Sequence, residues 1–140
     1  MSERLKQILK VNETFYNALE TGNLELMEEI WVKDSRAKCV HPGWPLLFGW
    51  ESIKQSWKTI FDTGGPLKIQ TSNISVEISG NLAWLTCLEH ISLLATNKVH
   101  RVIAQATNIF ELHGTRWFIV HHHASSLPTL TGSISEEELQ

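Results

Sequence analysis

This chain of 140 residues contains few of the features that usually point to a function. It has two cysteines, Cys39 and Cys87, whose spacing fits neither a metal-binding nor a redox motif, so two buried thiols are expected. The formal charge of −3 gives no electrostatic reason to expect nucleic acid as a partner. No apolar run reaches the length of a membrane span, and the charged N-terminus is unlike a signal peptide. We therefore predict a soluble cytoplasmic domain that binds neither nucleic acid nor a membrane.

The chain is rich in bulky apolar residues. Its hydrophobic content is 42%, and six tryptophans are many for a chain of 140 residues. This length is sufficient for one domain with a substantial core. Residues 127–140 carry Ser, Thr, Gly and a run of three glutamates, and we predict a flexible acidic tail there. The predicted single domain is therefore 1–126.

The first half of the chain has the periodicity of helices. A helix is predicted over residues 3–20, with Ser2 as its N-cap and Gly22 as its stop signal. Asn23 can cap a second, short helix, and a third helix is predicted over residues 50–62. In the first helix, mostly apolar residues recur at helical spacing, with one amide among them. They are Leu5, Ile8, Leu9, Asn12, Phe15, Tyr16 and Leu19.

The second half of the chain reads as strands. A short strand is predicted over residues 37–40, followed by a shaped loop with two prolines and a glycine over residues 41–45. Four longer strands are predicted between residues 65 and 125. The turns that separate them are Gly80-Asn81, Thr96-Asn97 and His113-Gly114-Thr115. Such short connections require antiparallel neighbours, so an α+β fold is predicted, with helices on one face of the sheet.

The last of these strands ends in three successive histidines. Strict alternation along a strand places His121 and His123 on one face with Trp117 and Ile119, and His122 on the other. Titratable rings at the end of a covered strand indicate a pocket or an interface. Because only two of the three share a face, we predict neither a metal site nor a cofactor.

Several strings, taken in order, resemble one known family. They are similar to the SnoaL-like and ketosteroid-isomerase-like branch of the nuclear transport factor two superfamily. The ending Trp-x-x-Val-His-x-His-x-Ser is also similar to the association domain of calcium/calmodulin-dependent protein kinase. The strings, which span about residues 3–128, are Val40-His41-Pro42-Gly43, Gly49 with Ser56-Trp57, Ala83 to Cys87 with Glu89, Ala106 to Phe110, and Trp117 to Ser125.

The resemblance implies a cone-shaped fold. In it, N-terminal helices pack against a strongly curved antiparallel or mixed sheet, and a pocket remains at the open end. It also implies a homodimer formed through the outer face of the sheet. The superfamily contains enzymes and assembly modules alike, so the fold does not settle the function.

Proton transfer without a metal is the chemistry that the resemblance favours, as in an isomerase or a dehydratase. Glu89 or Asp34 would be the base if buried, since burial raises the pKa of a carboxyl toward neutrality. Tyr16, Asn108 and one histidine, for which we choose His122, would donate hydrogen bonds to a developing enolate.

A small apolar or aromatic molecule is the predicted ligand. His41, Trp44 and Trp57 would form an aromatic rim over it. Asn108 is either a ligand contact or an internal clamp, since a buried amide must be hydrogen-bonded. The kinase association domain has pocket arginines at the positions of Asn108 and Ala124, so a carboxylate ligand is disfavoured here. His121 and His123 would either bind the ligand or lie at a subunit interface.

The alternative function is a non-catalytic association module.

Overall fold

The computed structural model describes residues 1–95 and 97–128. Within them, most of the helical structure precedes most of the sheet. The elements are α1 (Glu3–Thr21), α2 (Leu24–Glu29), β1 (Lys38–Val40), β2 (Leu47–Phe48), α3 (Trp50–Thr63), β3 (Leu67–Ser79), β4 (Leu82–Ala95), β5 (Lys98–His113) and β6 (Arg116–Ser126). Residues 129–140, which make up most of the predicted tail, lie outside the described residues. Thr96, in the predicted turn between β4 and β5, lies outside them as well.

The ends of the first two helices lie where the sequence predicts them. The Ser2 hydroxyl accepts a hydrogen bond from the Leu5 backbone N–H at 3.1 Å, and α1 ends at Gly22, which has a φ of 65°. A residue with a side chain would be strained at this φ, so glycine is the natural stop. The Asn23 side chain then accepts from the Leu26 N–H at 3.0 Å and begins α2. No described helix is long and apolar enough to cross a membrane.

One six-stranded sheet runs in the order β2-β1-β6-β5-β4-β3. Strands β3 to β6 form the predicted antiparallel meander. Strand β1 lies parallel to β6, which makes the sheet mixed. Strand β2 pairs with β1 over two residues, Leu47 and Phe48, and was not predicted because so short a segment shows no periodicity.

The sheet wraps around helix α1. This helix contacts both β3 and β6, which are separated in the sheet by β4 and β5, so the sheet must curve to bring them to one helix. Phe15 is fully buried, and its ring contacts those of Tyr16 at 4.9 Å and Trp57 at 5.6 Å. Burial of a side chain of this size contributes about 2–3 kcal/mol. The predicted α+β cone is confirmed.

A β-bulge in β6 corrects the predicted distribution of the histidines. Ile109 of β5 lies opposite His121, whereas Phe110, the next residue, lies opposite Ile119. Val120 is therefore an extra residue without a direct partner, and alternation restarts after it. As a result His122, and not His121, points inward with Ile119. His121 and His123 share a face opposite His122, as predicted, but their predicted grouping with Trp117 and Ile119 was wrong because alternation assumes a strand without a bulge.

Candidate functional site

Five polar side chains form one buried cluster between α1 and the inner face of the sheet. Each is at most 6% exposed, and they come from α1, β4, β5 and β6. The inward faces of these elements are otherwise apolar, so each polar group must find its partner inside the cluster. The cluster consists of Asn12, Tyr16, Glu89, Asn108 and His122.

Within the cluster, the shortest contact that Tyr16 makes is with Glu89. The Tyr16 hydroxyl donates to Glu89 Oε2 at 2.6 Å and lies 3.5 Å from the Cys87 sulfur. Burial raises the pKa of Glu89, and the hydrogen bond from Tyr16 only partly opposes this effect. Burial and the neighbouring charge of Glu89 raise the pKa of Tyr16, which keeps the phenol protonated. A carboxyl with a raised pKa can accept a proton and return it near neutral pH.

Asn108 is an internal clamp. Its amide nitrogen donates to Asn12 Oδ1 at 2.8 Å and lies 3.4 Å from the Tyr16 hydroxyl. Its amide oxygen lies 2.5 Å from Nδ1 of His122. Of the two roles predicted for Asn108, these contacts show the clamp, and they join β5 to α1 and to β6.

His122 is held among aromatic rings. Its ring lies 4.7 Å from that of Phe15 and 6.2 Å from that of Trp57. Burial lowers the pKa of His122 to about 3, and repulsion by the charged forms of His41, His121 and His123 acts in the same direction. The imidazole is therefore neutral at physiological pH.

The predicted aromatic rim has one exposed member. Trp44 is 37% exposed, whereas His41 and Trp57 are buried at 3% and 2%. The His41 ring contacts the Trp44 ring at 5.0 Å and the Trp57 ring at 4.5 Å, and its Nε2 lies 2.8 Å from the Ser56 hydroxyl. Burial lowers the pKa of His41 to about 4. His41 and Trp57 thus belong to the interior, and the Trp57 indole N–H has no partner among the described residues.

A cavity of about 580 Å³ leads to the cluster from outside, between α1 and β3. Asn12 and Tyr16 line it, together with Leu9, Ile69 and Ile74. Thr71, another lining residue, lies directly opposite Glu89 in the sheet. A molecule in this α1–β3 cavity would meet the apolar side chains of Leu9, Ile69 and Ile74, polar side chains of α1 that include Glu13, Asn17 and Glu20, and the amide of Asn12 and the phenol of Tyr16. Glu89, Asn108 and His122 are not among the residues that line it.

Asp34 lies outside the cluster. Its predicted role as a base required burial, but its side chain is 50% exposed and pairs with Arg36 at 3.0 Å. Hydrogen bonds from Arg36 lower the pKa of Asp34. The prediction for this residue was wrong because a carboxylate before a strand pairs with a nearby cation as readily as it enters a pocket.

His121 and His123 lie on the outer face of the sheet. They line a groove of about 600 Å³ with Thr86, Gln105 and Ser125. Their rings lie 6.2 Å apart, and the bulge at Val120 places them there. Neither joins the buried cluster, so a ligand in the α1–β3 cavity would not reach them. Among the described residues, no group of three or more His, Cys, Asp or Glu is arranged to hold a metal ion.

Asn12 and Ser56 belong to the interior polar contacts but were not predicted as site residues. Asn12 is the amide in the apolar stripe of α1, and it is 2% exposed. Ser56 is 4% exposed, donates to the Ile53 carbonyl at 2.6 Å and contacts His41. A polar residue at an inward helical position was the signal that could have identified both.

An α-helix enclosed by a curved mixed sheet, with polar side chains converging from both, defines a protein of the NTF2-like cone class. The chain belongs to the SnoaL-like domain family, whose model matches residues 8–129.

Individual relatives agree with this assignment. A candidate dehydratase of the NTF2-like family from Streptomyces avermitilis is 25% identical, with a TM-score of 0.84 over 89% of this chain and 97% of that one. A candidate calcium/calmodulin-dependent protein kinase type II association domain from Thiobacillus denitrificans is 24% identical, with a TM-score of 0.77 over 84% and 93% of the two chains. F-box protein SKIP8 of Arabidopsis thaliana is 28% identical over 120 residues, which are 86% of this chain and 49% of that protein. The chain thus spans about half the length of this curated relative.

Proposed function

We propose that the chain binds a small, mostly apolar carbonyl compound in the α1–β3 cavity and catalyses proton transfer on it, as an isomerase or a dehydratase does. Glu89 is the base, and Tyr16 donates to the developing enolate after Glu89 has taken up the proton and no longer needs the phenol hydrogen bond. Asn108 positions the phenol, and His122, which was predicted as a donor to the enolate, acts only through Asn108. The contact that carries the proposal is the buried 2.6 Å hydrogen bond from Tyr16 to Glu89.

The energetics of Glu89 support a functional role. A buried carboxylate is costly unless a cation or several donors offset its desolvation. Glu89 is 2% exposed, and no basic group is among the causes of its pKa shift. An apolar residue of similar size would stabilise this position better. Buried carboxyls whose pKa is raised in this way are enriched at catalytic sites.

The similarity to a candidate dehydratase is consistent with this chemistry. Dehydration next to a carbonyl and carbonyl isomerisation both begin with the removal of an α-proton. A carboxyl base beside a phenol donor suits that step because the phenol proton is released when Glu89 becomes protonated and can then stabilise the negative charge on the carbonyl oxygen.

The experiment is solvent deuterium exchange into the α-positions of cyclohexanone and acetophenone, followed by NMR. This reaction requires proton abstraction only, so it does not depend on knowledge of the natural substrate. Exchange above the buffer rate is expected for the unmodified chain, with a loss of about 10²–10⁴-fold in Glu89→Gln. Asp34→Asn, which removes an exposed carboxylate of similar kind, is the matched control and should retain the full rate. No exchange with either ketone, or an equal rate in Glu89→Gln, would contradict the proposal.

A second function, self-association through the outer face of the sheet, is favoured by the side chains there. Trp84 is 42% exposed and Ile103 is 39% exposed, although both lie in central strands. Trp84, Ile109 and His121 form a row across β4, β5 and β6. Large apolar side chains in the middle of an outer face are typical of an interface.

Light scattering across pH tests this second function. A homodimer is expected at neutral pH, and Trp84→Arg should convert it to a monomer. Phe48→Arg, at an apolar residue that is 66% exposed on β2, is the control and should remain dimeric. Dissociation at about pH 6, where histidine titrates, would favour the association module over the enzyme. A monomer at all concentrations would exclude this second function.

A further inference from the structure

The hydrogen bonds of the buried cluster have a defined direction. Glu89, when ionised, can only accept, so the Tyr16 hydroxyl must donate to it at 2.6 Å. The Tyr16 oxygen is then free only to accept, and the group that lies 3.4 Å from it is the Asn108 amide nitrogen. The same nitrogen donates to Asn12 Oδ1 at 2.8 Å. Two acceptors thus fix which way the Asn108 amide faces.

The orientation of Asn108 determines the protonation of one ring nitrogen in His122. With its nitrogen turned toward α1, the Asn108 amide presents its oxygen to Nδ1 of His122 at 2.5 Å. An amide oxygen can only accept, so Nδ1 must carry the proton. A neutral imidazole has one N–H, and Nε2 therefore carries the lone pair.

We propose that Asn12 is a positioning residue that acts through Asn108 to hold His122 in its Nδ1–H tautomer, which leaves Nε2 as a hydrogen-bond acceptor. The catalytic meaning of this arrangement rests on the function proposed above, but the tautomer itself does not. The contact of Asn108 with Asn12, at 2.8 Å, is shorter than its contact with Tyr16, at 3.4 Å.

The surroundings of His122 keep its ring neutral. Phe15 and Trp57 contribute apolar ring surface beside it, and burial lowers the pKa of His122 to about 3. A neutral ring whose Nδ1–H is bonded to Asn108 can only accept at Nε2.

The test is a long-range proton–nitrogen NMR spectrum of the chain with labelled histidine, recorded at about pH 7. The signals of His122 are assigned by their loss in His122→Gln. We expect a protonated Nδ1 and an unprotonated Nε2 in the unmodified chain and in Asn12→Asp, whose carboxylate still accepts from Asn108. In Asn12→Leu the acceptor is gone, and signals of the second tautomer should appear.

A proton on Nε2 in the unmodified chain would overturn the proposal, and so would a pure Nδ1–H tautomer in Asn12→Leu. Should Asn12→Leu fail to fold, Asn12→Ala removes the same acceptor with less bulk and is held to the same outcomes. A purely structural role for Asn12 would lower stability without changing the tautomer. Because the spectrum needs neither ligand nor turnover, it fails or succeeds separately from the deuterium-exchange assay.

Discussion

Neutral His122 should make the protein sensitive to mild acid. The pKa of His122 is about 3 in the folded chain against an ordinary value of 6.5. Between these values the unfolded chain binds a proton that the folded chain does not, so stability is lost as the pH falls. The free energy of unfolding should decrease by at most about 1.4 kcal/mol per pH unit for this group, a slope that is reached well below pH 6.5. From about pH 7 to about pH 5 the loss sums to about 2 kcal/mol.

Other groups contribute to the same curve in known directions. His41, with a pKa of about 4, adds a second loss of the same sign. The raised pKa of Glu89 acts in the opposite direction, because the stability it contributes is present at low pH and is lost as the pH rises. The lowered pKa values of exposed carboxyls such as Asp34 matter mainly below about pH 4.5. His41 and Glu89 are present in both the unmodified chain and a His122 variant, so the difference between the two slopes above about pH 5 reports the contribution of His122.

The assay is urea unfolding followed by tryptophan fluorescence, at steps from about pH 7 to about pH 5. His122→Gln will be less stable at pH 7, since it disturbs the contact with Asn108, so the slopes against pH are compared and not the absolute values. Over this range its slope should be smaller than that of the unmodified chain by about 1 kcal/mol per pH unit on average. His100→Gln, which removes an exposed histidine of the same sheet, is the control. Equal slopes in the unmodified chain and in His122→Gln would refute the reasoning.

Three further outcomes are expected. Phe15→Ala should lower the free energy of unfolding by about 3–5 kcal/mol, because a fully buried ring is lost. A loss below about 1 kcal/mol in urea unfolding would show instead that neighbouring side chains fill the space of the ring. Glu89→Gln keeps an acceptor for Tyr16 and should be more stable than the unmodified chain at about pH 8, where the buried carboxyl must ionise. In urea unfolding this difference in stability should shrink toward about pH 5, and a difference that stays constant with pH would count against the raised pKa of Glu89. Cys39 and Cys87 are free thiols, and burial raises the pKa of each. Iodoacetamide should therefore label them in urea but hardly at all in the native chain, as measured by mass spectrometry, and rapid labelling of the native chain would contradict this.

The elements that were predicted well have local causes. The boundaries of α1 follow from Ser2 and Gly22, and the turns of the meander follow from Gly80 and Gly114, whose φ values are 59° and 63°. Each of these signals depends on residues within a few positions of the boundary, so the sequence displays it directly.

The parts of the site that were missed depend on the third dimension. Glu89 and Asp34 were both candidate bases, and the apolar neighbours of Glu89 on its strand face favoured its burial, but only the fold shows that Glu89 packs against Tyr16 while Asp34 pairs with Arg36 at the surface. The contact between Asn12 and Asn108 joins residues 96 positions apart. No local pattern encodes such a pair, although an amide in an apolar helical stripe indicates that a partner exists.

The unpaired residue Val120 has a consequence for how this domain can diverge. If β6 kept all its residues but alternated without the bulge, His121 and His123 would turn into the core and His122 would lie on the outer surface. Deletion of Val120, in contrast, would remove the bulge and leave all three rings on their present faces, because His121 would then follow Ile119 directly. A homologous strand could therefore keep the histidine triplet letter for letter and yet exchange its internal and external rings, so the presence of the bulge, and not the triplet itself, determines which imidazoles lie inside.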